Sequence, residues 1–177
     1  MTEIELEPFT RADFGRLIAW SPTPEFLLQW SGPIFYFPLD EAQLENYMRG
    51  AEGDDPVRKI FRVVDRADGA VVGHIELGEI NLANRSATIC RVLIGDPAMR
   101  GRGLGEQMVR RVLAIGFGEL GLHRIDLGVF EFNHAAIACY EKIGFRIEGL
   151  RRDARRIGDA YWSAWTMSIL EHEWTNI

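Results

Sequence analysis

Hydrophobic and polar positions alternate or recur along this chain in a way that predicts most of its elements. Ile4 and Leu6 alternate with glutamates, a short first strand. Thr10 is placed to cap a helix running toward Trp20, with Asp13 in its first turn. Pro22 and Pro24 punctuate that helix, and a second helical piece over 25–30 runs into Ser31-Gly32-Pro33. Asp40 caps another helix through Tyr47, which ends near Gly50 and Gly53. Strands are predicted over 60–65 and 70–80, joined by the hairpin turn Asp68-Gly69, and over 85–94 across Asn81–Asn84. A helix follows through Phe117, then a strand over 124–130 whose Ile125, Leu127 and Val129 share one face. A helix through Ala136, Ile137 and Tyr140 ends at Gly144-Phe145 before a further strand, and Gly158-Asp159 turns the chain into a last strand over 160–170. The order reads βααβββαβαββ: meandering antiparallel strands, then a β-α-β-α-β unit. It predicts an α/β (α+β) fold in a single domain over residues 1–177, with no repeats or convincing linker.

The stretch Arg100-Gly101-Arg102-Gly103-Leu104-Gly105 lies between a strand and a helix. Glycines permit a sharp turn and close backbone approach. A helix starting here aims unpaired N–H groups and the positive end of its dipole at one point, which suits a pyrophosphate. Gly103 is followed by Leu104, so no Walker loop is present, and the glycine spacing misses the dinucleotide fingerprint.

The R-G-x-G-x-G loop resembles the pyrophosphate loop of the GNAT acetyltransferases. Asn133, Ala136, Tyr140 and Gly144-Phe145 form N-x-x-A-x-x-x-Y-x-x-x-G-F, similar to that family's second cofactor motif. The stretch Val72–Asn81, followed by Asn84-Arg85-Ser86-Ala87, resembles the branch holding ribosomal-protein N-terminal acetyltransferases and spermidine N-acetyltransferase. The resemblance thins before the second strand. It implies a mixed, twisted sheet of about seven strands, flanked by helices, whose splayed central strands admit acetyl-CoA. It also implies that Leu93, Ile94, Gly95, Arg100, Gly101, Arg102, Gly103, Leu104, Gly105, Asn133, Ala136 and Tyr140 hold that co-substrate.

The activity implied is direct acetyl transfer from acetyl-CoA to a primary amine. A backbone N–H within Leu93–Gly95 would polarise the carbonyl, and Tyr140 would act as acid to the CoA thiolate. Glu76, Glu79 and Glu131 are candidate bases, each also readable as an ordinary surface carboxylate; many family members are thought to use ordered water. His74 shares the expected face of Glu76. In the family the segment between the first two strands covers the acceptor, so Trp30, Phe35 and Tyr36 are candidates to hold an alkyl-ammonium group, with Tyr161-Trp162 closing the other side. Core packing is the alternative for these aromatics. The acceptor is either a protein N-terminus or a small amine. Binding of acetyl-CoA without turnover, as a sensor or regulatory protein, and use of another acyl-CoA stay open.

Charge and composition narrow the partners. A formal net charge of −6 argues against nucleic-acid binding and is compatible with a cationic amine. No apolar run is long enough for a bilayer, and the acidic start Met1-Thr2-Glu3 lacks a signal region, so no membrane partner and a cytoplasmic location are expected. The two cysteines, Cys90 and Cys139, read as small buried hydrophobes, and no histidine spacing suggests a metal. Arg151-Arg152-Asp153-Ala154-Arg155-Arg156 reads as a solvated strand edge rather than an anionic-partner site. Ile169, Leu170 and Trp174 are candidates for a homodimer contact or for the core.

Overall fold

The structure, a computed structural model, describes residues 3–54 and 56–174; Met1 and Thr2, at the head of the acidic start, lie outside them. The elements are β1 (Ile4–Pro8), α1 (Phe14–Ala19), α2 (Pro24–Ser31), α3 (Glu41–Met48), β2 (Lys59–Asp65), β3 (Val71–Asn81), β4 (Ser86–Ile94), α4 (Leu104–Leu113), β5 (Arg124–Phe130), α5 (His134–Ile143), β6 (Arg146–Ile157) and β7 (Ala160–Leu170). Three helices therefore separate β1 from β2, one more than the expected order counts. The polar and proline signals at Ser21–Thr23 and 38–40 break the segment twice. Thr23 caps α2 by accepting from the Phe26 N–H at 3.2 Å, with Pro24 at the first helical position. Asp40 caps α3 through the Gln43 N–H at 2.9 Å. Thr10 precedes a 3-10 turn rather than α1 itself, and its N–H and hydroxyl both donate to Asp13.

One seven-stranded sheet runs β1-β2-β3-β4-β5-β7-β6. Every pair is antiparallel except the central β4–β5 pair. Side-chain alternation divides the core into two layers. On one face Ile75, Leu77, Ile89, Ile125 and Leu127 pack under Met108, Val109 and Val112 of α4, and Tyr140 and Ile143 of α5. On the other, Leu93 and Ile60 pack under Phe14 and Leu17 of α1, Leu27 and Trp30 of α2, and Leu44 and Tyr47 of α3. We call these the α4/α5 face and the α1–α3 face. Ile169 is fully buried in the first layer and the partly buried Trp174 packs on Phe117 at 5.5 Å, so both contribute to the core.

Two backbone features shape the sheet's centre. The β4–β5 pairing runs only from Ser86↔Arg124 to Ile89↔Leu127; beyond it the strands separate. Opposite, the β3–β4 register shifts between His74↔Leu93 and Glu76↔Cys90, and Arg91 sits in the left-handed region at φ 55°. An extra residue at this bulge turns the Arg91 side chain out of simple alternation.

Candidate active site

A cavity of about 930 Å³ occupies the place where β4 and β5 part, lined by the β4 residues 89–94 and the β5 residues 127–130. Its floor at one end is the loop before α4. Gly101 and Gly103 take φ 74° and 79°, a left-handed conformation that L side chains rarely adopt. Gly103 caps α4, and the first bond closing the helix is Gln107 N–H to the Gly103 carbonyl at 3.2 Å. The N–H groups of Leu104, Gly105 and Glu106 precede that bond and lack intrahelical acceptors. A Cβ added at Gly101, Gly103 or Gly105 would meet no protein atom within 4 Å, so the loop encloses open space against bare backbone. Arg100 stacks over Phe26 at 5.4 Å and reaches the Ile94 carbonyl, while Lys142 pairs with Glu106 at 2.6 Å beside the helix start. Both cations line the cavity.

Asn133 caps α5, accepting from the Ala136 N–H at 3.4 Å, and both residues line the wall. One helical turn further, Tyr140 is buried, touches Phe145 with ring centroids 6.0 Å apart, and also lines the cavity. It is thus a core residue and a wall residue at once. Burial pushes its phenol above the ordinary range, so it is protonated at neutral pH.

The other expected residues divide. Leu93, Ile94, Gly101, Gly103, Leu104 and Gly105 line the cavity. Gly95 does not: a Cβ there would lie 2.0 Å from the Trp20 ring, and its N–H already donates to the Val72 carbonyl at 2.9 Å. Because backbone groups alternate sides along a strand, Ile94 N–H then points away from β3 toward the gap. Arg102 is exposed and outside the wall.

Glu131 is exposed and off the cavity, its N–H held by the Ser163 carbonyl at 3.0 Å. Glu76 is no surface carboxylate. It is 1% exposed, accepts from the Tyr47 hydroxyl at 2.5 Å and from Arg91 at 2.7 Å, and lies 3.9 Å from Arg58. His74 does share its face: Nε2 is 3.2 Å from the Tyr47 oxygen, and burial lowers the imidazole to about 3. Tyr47 has one proton and gives it to Glu76, so neutral His74 donates Nε2–H to Tyr47. Of the three candidate carboxylates only Glu79 lines the cavity, where it accepts from the Thr88 hydroxyl at 2.7 Å.

Of the aromatics, Trp30 lines the cavity, fixed by its indole N–H to Ser21 at 3.2 Å. Phe35 lies behind it in the core, at 6.0 Å from Trp30, and Tyr36 is 72% exposed on the outside. Trp162 packs on Phe130 and Phe132 instead of closing the cavity, and Tyr161 is exposed. Cys90 and Cys139, half-buried and free, both line the wall. The arginine run is indeed on the edge strand β6, yet Arg151 and Arg155 also line the cavity, as does Arg91; the sequence reading missed all three. Among the described residues no group of three or more His, Cys, Asp or Glu side chains could hold a metal.

Residues 3–146 match the family model for the acetyltransferase (GNAT) domain. The chain belongs to the GNAT acetyltransferase family. Relatives of this GNAT chain include spermidine N(1)-acetyltransferase of Escherichia coli K12, 34% identical over 113 residues, covering 64% of this chain and 60% of that enzyme. The N-alpha-acetyltransferase RimI of Mycobacterium tuberculosis is 31% identical over 102 residues, covering 58% of this chain and 61% of that protein. Both resembled branches are thus among its relatives. The structure of the spermidine N-acetyltransferase from Vibrio cholerae in complex with CoA and spermine superposes with TM-score 0.82 at 27% identity, over 96% of each chain. The seven-stranded mixed sheet is the GNAT fold.

Proposed function

We propose that this protein transfers an acetyl group from acetyl-CoA to a small primary amine. The observation that carries the reading is the cavity between the parted ends of β4 and β5, with a bare-backbone helix start at one end and Tyr140 on its wall. The names of relatives that act on spermidine favour a small amine over a protein N-terminus.

The loop 101–105 and the Leu104–Glu106 N–H groups fit a pyrophosphate, with Arg100 and Lys142 supplying positive charge. Bound there, acetyl-CoA supplies an activated thioester. Ile94 N–H is placed to donate to its carbonyl oxygen as negative charge develops. The attacking amine must be neutral, and a lysine-type amine has a pKa of ~10.4. Glu79 is the wall carboxylate able to take that proton, directly or through a water. A new C–N bond forms as the C–S bond breaks. Tyr140 donates its hydroxyl hydrogen bond to the leaving sulfur. With its phenol held above the ordinary range, Tyr140 completes proton transfer only if it regains a proton from solvent or the amine.

Tyr140→Phe keeps the ring and its contact with Phe145 but removes the donor. Turnover is expected to fall about 100-fold or more, the scale of general acid catalysis, with calorimetric acetyl-CoA affinity unchanged. An unaltered kcat would remove Tyr140 from the chemistry. CoA binding with no turnover of any amine by the wild-type protein would favour the sensor reading. Trp30→Ala opens both the core and the acceptor side: it is expected to cost about 3 kcal/mol of stability and to raise the acceptor KM. Thermal melts with separate KM values check it, and a change confined to the acetyl-CoA KM would move Trp30 to the donor site.

A further inference from the structure

We infer that the acceptor amine carries a carboxylate, which Arg91, Arg151 and Arg155 bind. The inference rests on the acetyl-transfer reading for its substrate, and on side-chain placement for its charge. Sheet register puts the groups together. In β5 and β7, Phe130 pairs with Ala164, and in β7 and β6, Ala164 pairs with Arg151 and Trp162 with Arg155. These positions share the face of Phe130, whose ring meets Trp162 at 5.0 Å. That face is opposite Leu127 and Val129, which pack in the α4/α5 layer, so it is the α1–α3 face. Arg151 and Arg155, four residues apart, return to the same face across the irregularity at Asp153, which has φ 49°. Arg91 reaches the same face from β4, as its bond to Glu76 beside Tyr47 shows.

The charges there do not balance. Among the described residues neither Arg151 nor Arg155 has a carboxylate partner, and the Arg155 Nη1 bonds only the neighbouring Ala154 carbonyl at 2.7 Å. Arg91 spends one Nη on Glu76, while its buried Nε has no hydrogen-bond partner. With Arg91 already paired to Glu76, two unpaired cavity-lining guanidiniums, Arg151 and Arg155, face one acceptor-side wall carboxylate, Glu79. A polyamine, with several positive charges, would meet like charge with little to offset it. An amine bearing a carboxylate meets the complementary pattern: ammonium toward Glu79, carboxylate toward guanidiniums, which bind carboxylates in planar, two-bond geometry. Trp30, Ile34 and Phe130 add an apolar wall for a side chain. The acceptor class is therefore an amino acid with an apolar side chain.

The test pairs amino acids with the same amines lacking the carboxylate: phenylalanine with phenethylamine, methionine with 3-(methylthio)propylamine, and spermidine beside them. CoA release is expected to show kcat/KM at least tenfold higher for each amino acid than for its partner. R151Q/R155Q is expected to raise the amino-acid KM at least tenfold with the acetyl-CoA KM unchanged. Preference for spermidine or for the carboxylate-free amines overturns the inference and leaves acetyl transfer standing. So does an unchanged amino-acid KM in the double variant. A raised acetyl-CoA KM overturns it too, by moving the arginines to the donor. If no amine is turned over, the acetyl-transfer reading fails, and calorimetry with CoA present decides the arginine site. Arginine-dependent binding of N-acetylphenylalanine upholds it; equal binding of N-acetylphenethylamine overturns it.

Discussion

Gly103→Val is expected to abolish measurable acetyl-CoA binding while leaving the protein folded. Gly103 holds φ 79°, and a β-branched residue there costs ~1–2 kcal/mol. That strain lowers the melting temperature but does not unfold the domain, because a Cβ at this position meets no protein atom within 4 Å. The ligand meets it instead. The space the Cβ enters is the space a pyrophosphate would share with the first N–H groups of α4. Hydrogen bonds to charged groups contribute about 1.5–3 kcal/mol each, so the loss of two raises the dissociation constant by more than about 100-fold. Isothermal calorimetry checks the affinity and a thermal melt checks the fold. Unchanged affinity would remove the loop from the donor site. A chain that no longer folds would locate the effect in the loop's own geometry.

The loop was legible because glycine and arginine spacing is a local signal. So were the elements whose patterning is local: β5 falls on 124–130 and β7 on 160–170 as expected, and Asp68-Gly69 joins β2 to β3. What the sequence does not show is where a side chain goes when two elements from distant parts of the chain meet. Glu76 alternates with Ile75 and Leu77, and a carboxylate opposite an apolar face reads as exposed. It is buried because α3 covers that face of β3 and brings Tyr47, with Arg91 delivered by a bulge that no sequence pattern announces. Arg151 and Arg155 read as a solvated edge for the same reason. β6 is an edge strand and Arg151 is exposed on it, but the register of β6 on β7 sets Arg151 and Arg155 on the face that lines the cavity. The aromatic segment 30–36 splits three ways because α2 ends at Ser31: Trp30 reaches the cavity, Phe35 the core, and Tyr36 the solvent.

The same cluster yields the largest expected effect on stability. Glu76→Leu removes the acceptor that holds the Tyr47 hydroxyl and the Arg91 guanidinium, and leaves Arg58 and Arg91 in a buried layer with no anion beside them. Breaking a buried ion pair in this way costs about 3–5 kcal/mol. The reason is desolvation: the paired cations lose their counter-charge without regaining water. Glu76→Gln keeps the shape and an oxygen for Tyr47, so its cost is smaller. The two variants also separate a positioning residue from a base. Glu76 is off the cavity wall and its oxygens are engaged, whereas Glu79 lies on the wall. Glu76→Gln is therefore expected to keep kcat while raising the acceptor KM, because the hold on Arg91 weakens. Glu79→Gln is expected to lower kcat about 100-fold with the acetyl-CoA KM unchanged. Denaturant melts give the stability order, and separate kcat and KM values of both glutamine variants give the roles. If kcat collapses in Glu76→Gln and persists in Glu79→Gln, the proton leaves through the buried Tyr47–Glu76 pair, and His74, donating to Tyr47, becomes part of its path.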